Sequence, residues 1–187
     1  MPNDLIFEPL TAATWPQLEQ LFGARGACAG CWCMYWRRSP REYEQSKGAA
    51  NRTALKSLAR KGGPLGLIAM RAGQPVGWCA VAPRSDFVRL GRRGTLEGND
   101  VWSIVCLFIT RAERRRGVSS ALIRAACDFA VERGAAIVES YPIEPKQETL
   151  PDVFAWTGLR AAFERAGFKE VGRTAPTRPI MRWSLTH

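Results

Sequence analysis

Two short stretches of the chain concentrate residues able to do chemistry. The first is Arg114-Arg115-Arg116-Gly117-Val118-Ser119-Ser120. Guanidinium groups bind anionic oxygens in a fork, a glycine lets a ligand approach the backbone, and serine hydroxyls donate hydrogen bonds. A helix starting at this glycine would add unpaired N–H groups and the positive end of its dipole. That combination holds a phosphate or pyrophosphate. The second stretch is Cys28-Ala29-Gly30-Cys31-Trp32-Cys33-Met34-Tyr35-Trp36-Arg37. Its CxxCxC spacing offers three thiolates to zinc, but no His is nearby and no second CxxC follows. No metal is therefore expected. One reading is a loop whose Trp and Met pack over the core. The favoured one is a pocket wall made of Trp32, Tyr35, Trp36 and Trp78, with Arg37 or Arg38 facing an acidic group. Such a wall suits a flat or partly apolar ligand.

The elements around the arginine loop decide between a solvated basic loop and a binding site. Val101–Thr110 is almost wholly apolar and β-branched, which suits a strand buried on both faces. Gly117–Arg133 carries Val118, Leu122, Ala125 and Phe129 on one helical stripe, and Gly134 ends it. Ala136–Tyr141 reads as a second buried strand, giving a βαβ unit. The loop thus has the strand before it and the helix after it that anion binding requires.

Upstream, residues 5–10 read as a strand and 14–21 as a helix, with Thr14 and Gln17 as a capping box. Ser39-Pro40-Arg41-Glu42 starts another helix, and helical character runs on from Asn51 to Lys61. Leu65–Arg71 and Pro75–Ala82 form a hairpin around Ala72-Gly73-Gln74. Residues 83–100 and 142–151 read as loops. Gly158–Ala166 is a short helix, followed by strands 168–173 and 179–185.

The 187 residues suffice for one domain and are few for two. A 46% hydrophobic and 24% charged composition is ordinary for a globular protein. No apolar run is long enough to span a bilayer, and no signal peptide is read at the N-terminus. A cytoplasmic protein with reduced thiols is expected. The net charge of +10 calls for an anionic partner. Nucleic acid is disfavoured, because the arginines gather at one loop and around 84–93 instead of alternating with aromatics along a face.

Leu107-Phe108-Ile109 followed by Arg114-Arg115-Arg116-Gly117-Val118-Ser119 resembles motif A of the GNAT acetyltransferase superfamily, R/Q-x-x-G-x-G/A after a strand. Ser119 stands where the motif has Gly or Ala, a mild departure. The run Ala161-Ala162-Phe163-Glu164-Arg165-Ala166-Gly167-Phe168 is similar to the family's ending. The resemblance covers 65–185 well and the N-terminal third only by order of elements.

The resemblance implies an α/β (α+β) GNAT fold in one domain. Its central mixed, mostly antiparallel sheet would have six to seven strands flanked by helices, with one parallel pair splayed apart. Residues 1–64 would form the acceptor side, 65–135 the hairpin and acetyl-CoA motif, and 136–187 the C-terminal strands and helix. It implies acetyl-CoA as acyl donor and direct attack by a primary amine, giving an N-acyltransferase acting on a small molecule as monomer or homodimer. Backbone groups of Leu107, Phe108 and Ile109 would pair with the pantetheine arm, and N–H groups from Arg114, Arg115 and Arg116 through Gly117, Val118, Ser119 and Ser120 would hold the pyrophosphate. An alkyl amine has a pKa near ~10 and must lose a proton before attack. The sequence singles out no base among Glu97, Asp100, Glu139 and Glu144; Glu139 is taken as the catalytic candidate, with Tyr141 as substitute acid and Tyr35 as a weaker one. The family's usual acid is a Tyr in the last helix, where this chain has Phe163. That departure leaves a second class of function open, a CoA-binding sensor without turnover. His187 is the one histidine and is not expected to act.

Overall fold

The computed structural model describes residues 4–91, 100–145 and 155–184. In chain order the elements are β1 (Leu5–Pro9), α1 (Trp15–Phe22), α2 (Pro40–Glu44), α3 (Ala49–Lys61), β2 (Gly66–Arg71) and β3 (Gln74–Pro83). They continue as β4 (Val101–Ile109), α4 (Val118–Val131), β5 (Ile137–Ser140), α5 (Arg160–Arg165), β6 (Lys169–Ala175) and β7 (Arg178–Ser184). The sheet has seven strands in the order β1-β2-β3-β4-β5-β7-β6. The pair β4–β5 is parallel and the other pairs are antiparallel. The expected mixed, mostly antiparallel sheet with one parallel pair is therefore present.

Local chemistry sets the frame. Ala72 and Gly73 both have positive φ, 47° and 74°, so the β2–β3 hairpin turns in two residues. This is the turn whose twist matches the strands, one residue tighter than the three-residue reading. Ser39 and Glu42 form the expected capping box at α2. Thr14 does not cap α1; its hydroxyl donates to the Pro9 carbonyl at 2.7 Å and ties the helix to the end of β1. The capping-box pattern is matched in sequence, but this longer-range bond wins the hydroxyl.

Two apolar clusters cover the two faces of the sheet. On one face α1, α3 and the Cys/Trp loop pack over β2 and β3 through Leu18, Trp32, Leu55, Ile68 and Trp78. On the other, Val118, Leu122 and Phe129 of α4 and Phe163 of α5 pack against Cys79, Ile104 and Val138. The stripe read on α4 is thus its buried face, widened by Ile123, Ala126 and Ala130.

The feature that positions the site is where β4 loses its neighbour. Pairing with β5 stops at Ile104↔Ser140, while β4 runs on to Ile109. Across the other edge, Ala80 faces Cys106 and Val81 faces Ile104, so Val105 is bulged out of register. A bulge bends and re-aims a strand. The last residues of β4 therefore leave β5 with one edge bare of strand.

Candidate active site

The candidate anion site is built from the backbone. Arg114 is extended, Arg115 has φ 60° and Gly117 has φ 79°, and α4 begins at Val118. A left-handed arginine costs about 1–2 kcal/mol, so the loop is held in shape by its surroundings. Glu113 does part of this, since its buried carboxylate takes Arg71 and Arg116, the latter at 3.1 Å. Arg114 Nε donates to the Ile109 carbonyl at 3.1 Å. The first helical bond runs from Ala121 N–H to Gly117 O, so the N–H groups of Val118, Ser119 and Ser120 precede the ladder. Around the Cβ position that Gly117 lacks there is open space. A 14-residue helix dipole ends at this opening.

A cavity of about 910 Å³ starts at this loop and follows the free end of β4. Arg114, Arg115, Gly117, Val118 and Ser119 line its near end, and Leu107, Phe108 and Ile109 its floor. Its far end is walled by Cys28, Cys31, Tyr35, Trp36, Tyr43 and Trp156. The sequence-predicted loop, strand and aromatic stretch thus meet around one space.

Several expected residues stand elsewhere. Arg116 is turned to Glu113 and is absent from the lining. The Ser120 side chain is buried and accepts from Arg165 Nε at 3.4 Å, leaving its backbone as the part near the anion site. Phe108 contributes its ring to the cavity. Its backbone groups, however, face β3, because alternate residues of a strand point to alternate edges and Leu107 N–H points away. Leu107 N–H is itself engaged, donating to the Trp156 carbonyl at 2.8 Å.

Trp78 and Trp32 do not wall the cavity. Trp78 is fully buried and donates its indole N–H to Cys33 Sγ at 3.0 Å. Trp32 stacks on Trp15 with centroids 6.0 Å apart and meets the edge of Phe22. Both serve the core, as hydrophobic burial of so large a ring favours. Tyr35 and Trp36 do line it, joined by Trp156 and Tyr43, which the sequence reading did not select. Tyr35 touches Trp36, Tyr43 and Trp156 edge-on at 5.1–5.3 Å. Lys47 completes this end. Arg37 is bound to Asp86 at 2.9 Å and lies over Phe87, away from this role.

The expected base and acid form a buried structural unit. Glu139 has no solvent exposure; Oε1 accepts from Arg182 at 2.7 Å and Oε2 from the Tyr141 hydroxyl at 2.7 Å. Arg84 lies 3.8 Å from the same carboxylate. Burial, then the bond to Glu139, pushes the Tyr141 phenol up to about 12. Neither residue lines the cavity. Glu144 is bound by Arg173 and Arg160, whose hydrogen bonds and charge hold its carboxyl below the usual range. Asp100 is exposed at the start of β4, and its carbonyl accepts from Ala136 and Ile137. Glu97 and His187 lie outside the described residues. Phe163 is fully buried against Phe168.

Hydrogen bonding or burial raises the thiol pKa values of Cys28, Cys31, Cys33, Cys79 and Cys127. Cys33 Sγ–H donates to Cys106 Sγ at 3.5 Å, and that contact, with burial, raises its pKa. Hydrogen bonding to Cys33 and burial raise Cys31, and burial raises Cys28. Among the described residues no three His, Cys, Asp or Glu side chains gather into a metal-holding group. Nor is any described helix long and apolar enough to cross a membrane.

Comparison with known proteins places this geometry. The solved chains that resemble it include aminoglycoside acetyltransferase AAC(6')-Ib in complex with coenzyme A, at 16% identity over 97% of this chain and 95% of that one, with a TM-score of 0.54. A GCN5-related N-acetyltransferase from Kribbella flavida matches at 17% identity over 99% and 100%, with a TM-score of 0.57. Ard1 from Thermoplasma volcanium matches at 12% identity over 98% and 99%, with a TM-score of 0.56. No curated protein matches. The model of the acetyltransferase (GNAT) family matches residues 29–149, nearly two-thirds of the sequence. The chain belongs to the GNAT acetyltransferase family.

Proposed function

We propose that this protein transfers an acetyl group from acetyl-CoA to the amine of a small molecule, by direct attack with both substrates bound. One observation carries the reading. A single cavity joins the N-terminal loop of α4 to the aromatic wall, passing along the bare end of β4.

The residues fit the donor. The open, left-handed backbone at Arg115 and Gly117 suits a pyrophosphate. The free edge beyond Ile104 offers peptide groups to a pantetheine arm, as an added strand does. Leu107 and Ile109 present theirs to that edge; Leu107 N–H becomes available when the Trp156 carbonyl yields it. Holding donor and amine together in one enclosure supplies much of the acceleration. Tyr43, whose phenol is pushed up to about 12 by burial and then by Cys31 and Cys28, is a proton donor at neutral pH. It lines the cavity, whereas Tyr141 does not.

The test is thioester consumption. Purified protein with acetyl-CoA and a panel of amines should release free CoA thiol with at least one of them. Tight CoA binding with no turnover for any amine would favour the sensor reading, which the replacement of the family's Tyr by Phe163 supports.

A further inference from the structure

The charges and the proton acceptors of the cavity restrict what it can take. Among the described residues its lining holds one carboxylate, Glu113, and Arg71 and Arg116 already occupy it. The lining cations are Lys47, Arg114, Arg115 and Arg165. A polycationic amine would meet repulsion without a carboxylate to offset it. The aromatic faces do not replace one, since Arg89 sits 4.0 Å over the Tyr35 ring and 5.2 Å from that of Tyr43.

Among the described residues, the same lining presents no carboxylate outside an ion pair and no histidine to act as general base. Glu139 is buried beneath Arg182, Arg84 and Tyr141, while hydrogen bonding and burial raise the pKa values of the cavity cysteines Cys31 and Cys33. A strongly basic alkyl amine would arrive protonated, and none of these groups is poised to take its proton. An arylamine is already neutral at pH 7. Its ring is also planar, which matches the Tyr35, Trp36 and Trp156 wall. Among the described residues, Lys47, held by Glu44 at 2.6 Å, is the lining cation beside the aromatic wall, 5.6 Å over the Tyr43 ring. A carboxylate on the acceptor can share it.

From these features we infer that the acceptor is a weakly basic aromatic amine bearing a carboxylate, an aminobenzoate-like molecule, with Lys47 as its anchor. This rests on the transferase reading above. In the transfer, the nitrogen lone pair forms the C–N bond and the C–S electron pair leaves on sulfur. The proton lost by nitrogen ends on the CoA thiol. Nothing is oxidised or reduced.

The test compares 4-aminobenzoate, aniline, benzylamine and spermidine as acceptors for the full chain. Binding of 4-aminobenzoate to the CoA-loaded protein is followed in parallel by tryptophan fluorescence. The expected order of kcat/KM is 4-aminobenzoate, then aniline, with benzylamine and spermidine at least tenfold lower. Lys47→Glu should lower the 4-aminobenzoate to aniline ratio about tenfold, through KM. The 4-aminobenzoate rate should be flat from pH 6 to 9, because no amine proton has to leave first. Spermidine or benzylamine turned over as well as 4-aminobenzoate would overturn the inference and leave the transferase reading intact. Saturable binding of 4-aminobenzoate, sensitive to Lys47→Glu but without turnover, would support the site and overturn the transferase reading. Absence of both binding and turnover with 4-aminobenzoate would overturn the inference.

Discussion

Leu107 donates its backbone N–H to the Trp156 carbonyl at 2.8 Å, just past the point where β5 leaves β4. The segment from Ala155 to Gly158 thereby covers an edge that a pantetheine arm would use. Saturating acetyl-CoA should displace this segment. Amide exchange at residues 155–158 should rise while Leu107 stays protected by its new partner. Unchanged exchange at 155–158 in the saturated complex would separate the donor's path from β4.

Glu139 tests the difference between a catalytic and a structural carboxylate. Removing one member of a buried charge cluster costs roughly 3–5 kcal/mol, because its partners lose their counter-charge. Glu139→Gln should therefore lower stability by an amount of that order in urea unfolding, with Arg182 left inside. A variant of native stability with acetyl transfer lost at every pH would restore Glu139 as the base.

The tryptophans divide in the same way. Trp78→Ala empties a fully buried site and should cost about 3–5 kcal/mol. Trp36→Ala and Trp156→Ala should raise the acceptor KM at least ~tenfold, a loss of about 1.4 kcal/mol of binding. An acceptor KM indifferent to both would remove the aromatic wall from the site.

Alkaline pH offers a check on the buried phenols. Tyr141 and Tyr43 are each raised from 10 to about 12 in the folded state. The folded protein then binds more protons than the unfolded chain between those values. The stability involved is complete below pH 10 and lost as pH climbs toward 12. Denaturant midpoints should fall across that window, and less steeply in Tyr141→Phe. An identical slope in the variant would show that Tyr141 is not the perturbed phenol.

The elements legible in the sequence are those whose signals are local. Ala72-Gly73 announces its turn, Ser39 and Glu42 their cap, and the α4 stripe its buried face. The arginine loop was legible because the strand before it and the helix after it are both strongly patterned. The aromatic wall was only half legible. Strand β3 is buried along nearly its whole length, so alternation carries no sign of which face Trp78 takes. Trp156 reaches the site through a backbone bond to Leu107, 49 positions away in sequence, which no local pattern records. Glu139 and Tyr141 sit at the expected end of β5, but the arginine that occupies Glu139 comes from β7.

The proposed transfer depends on acetyl-CoA being anchored at the N-terminus of α4. Calorimetric titration of acetyl-CoA into the wild type, Gly117→Ala and Gly117→Glu measures this directly. Gly117→Ala reports the strain of a side chain at φ 79°, of order 1–2 kcal/mol. Gly117→Glu adds a carboxylate at the proposed pyrophosphate site. Its affinity should fall well below that of the alanine variant, at least ~100-fold from wild type, or about 2.7 kcal/mol. A folded Gly117→Glu protein binding acetyl-CoA as tightly as Gly117→Ala would contradict the assignment.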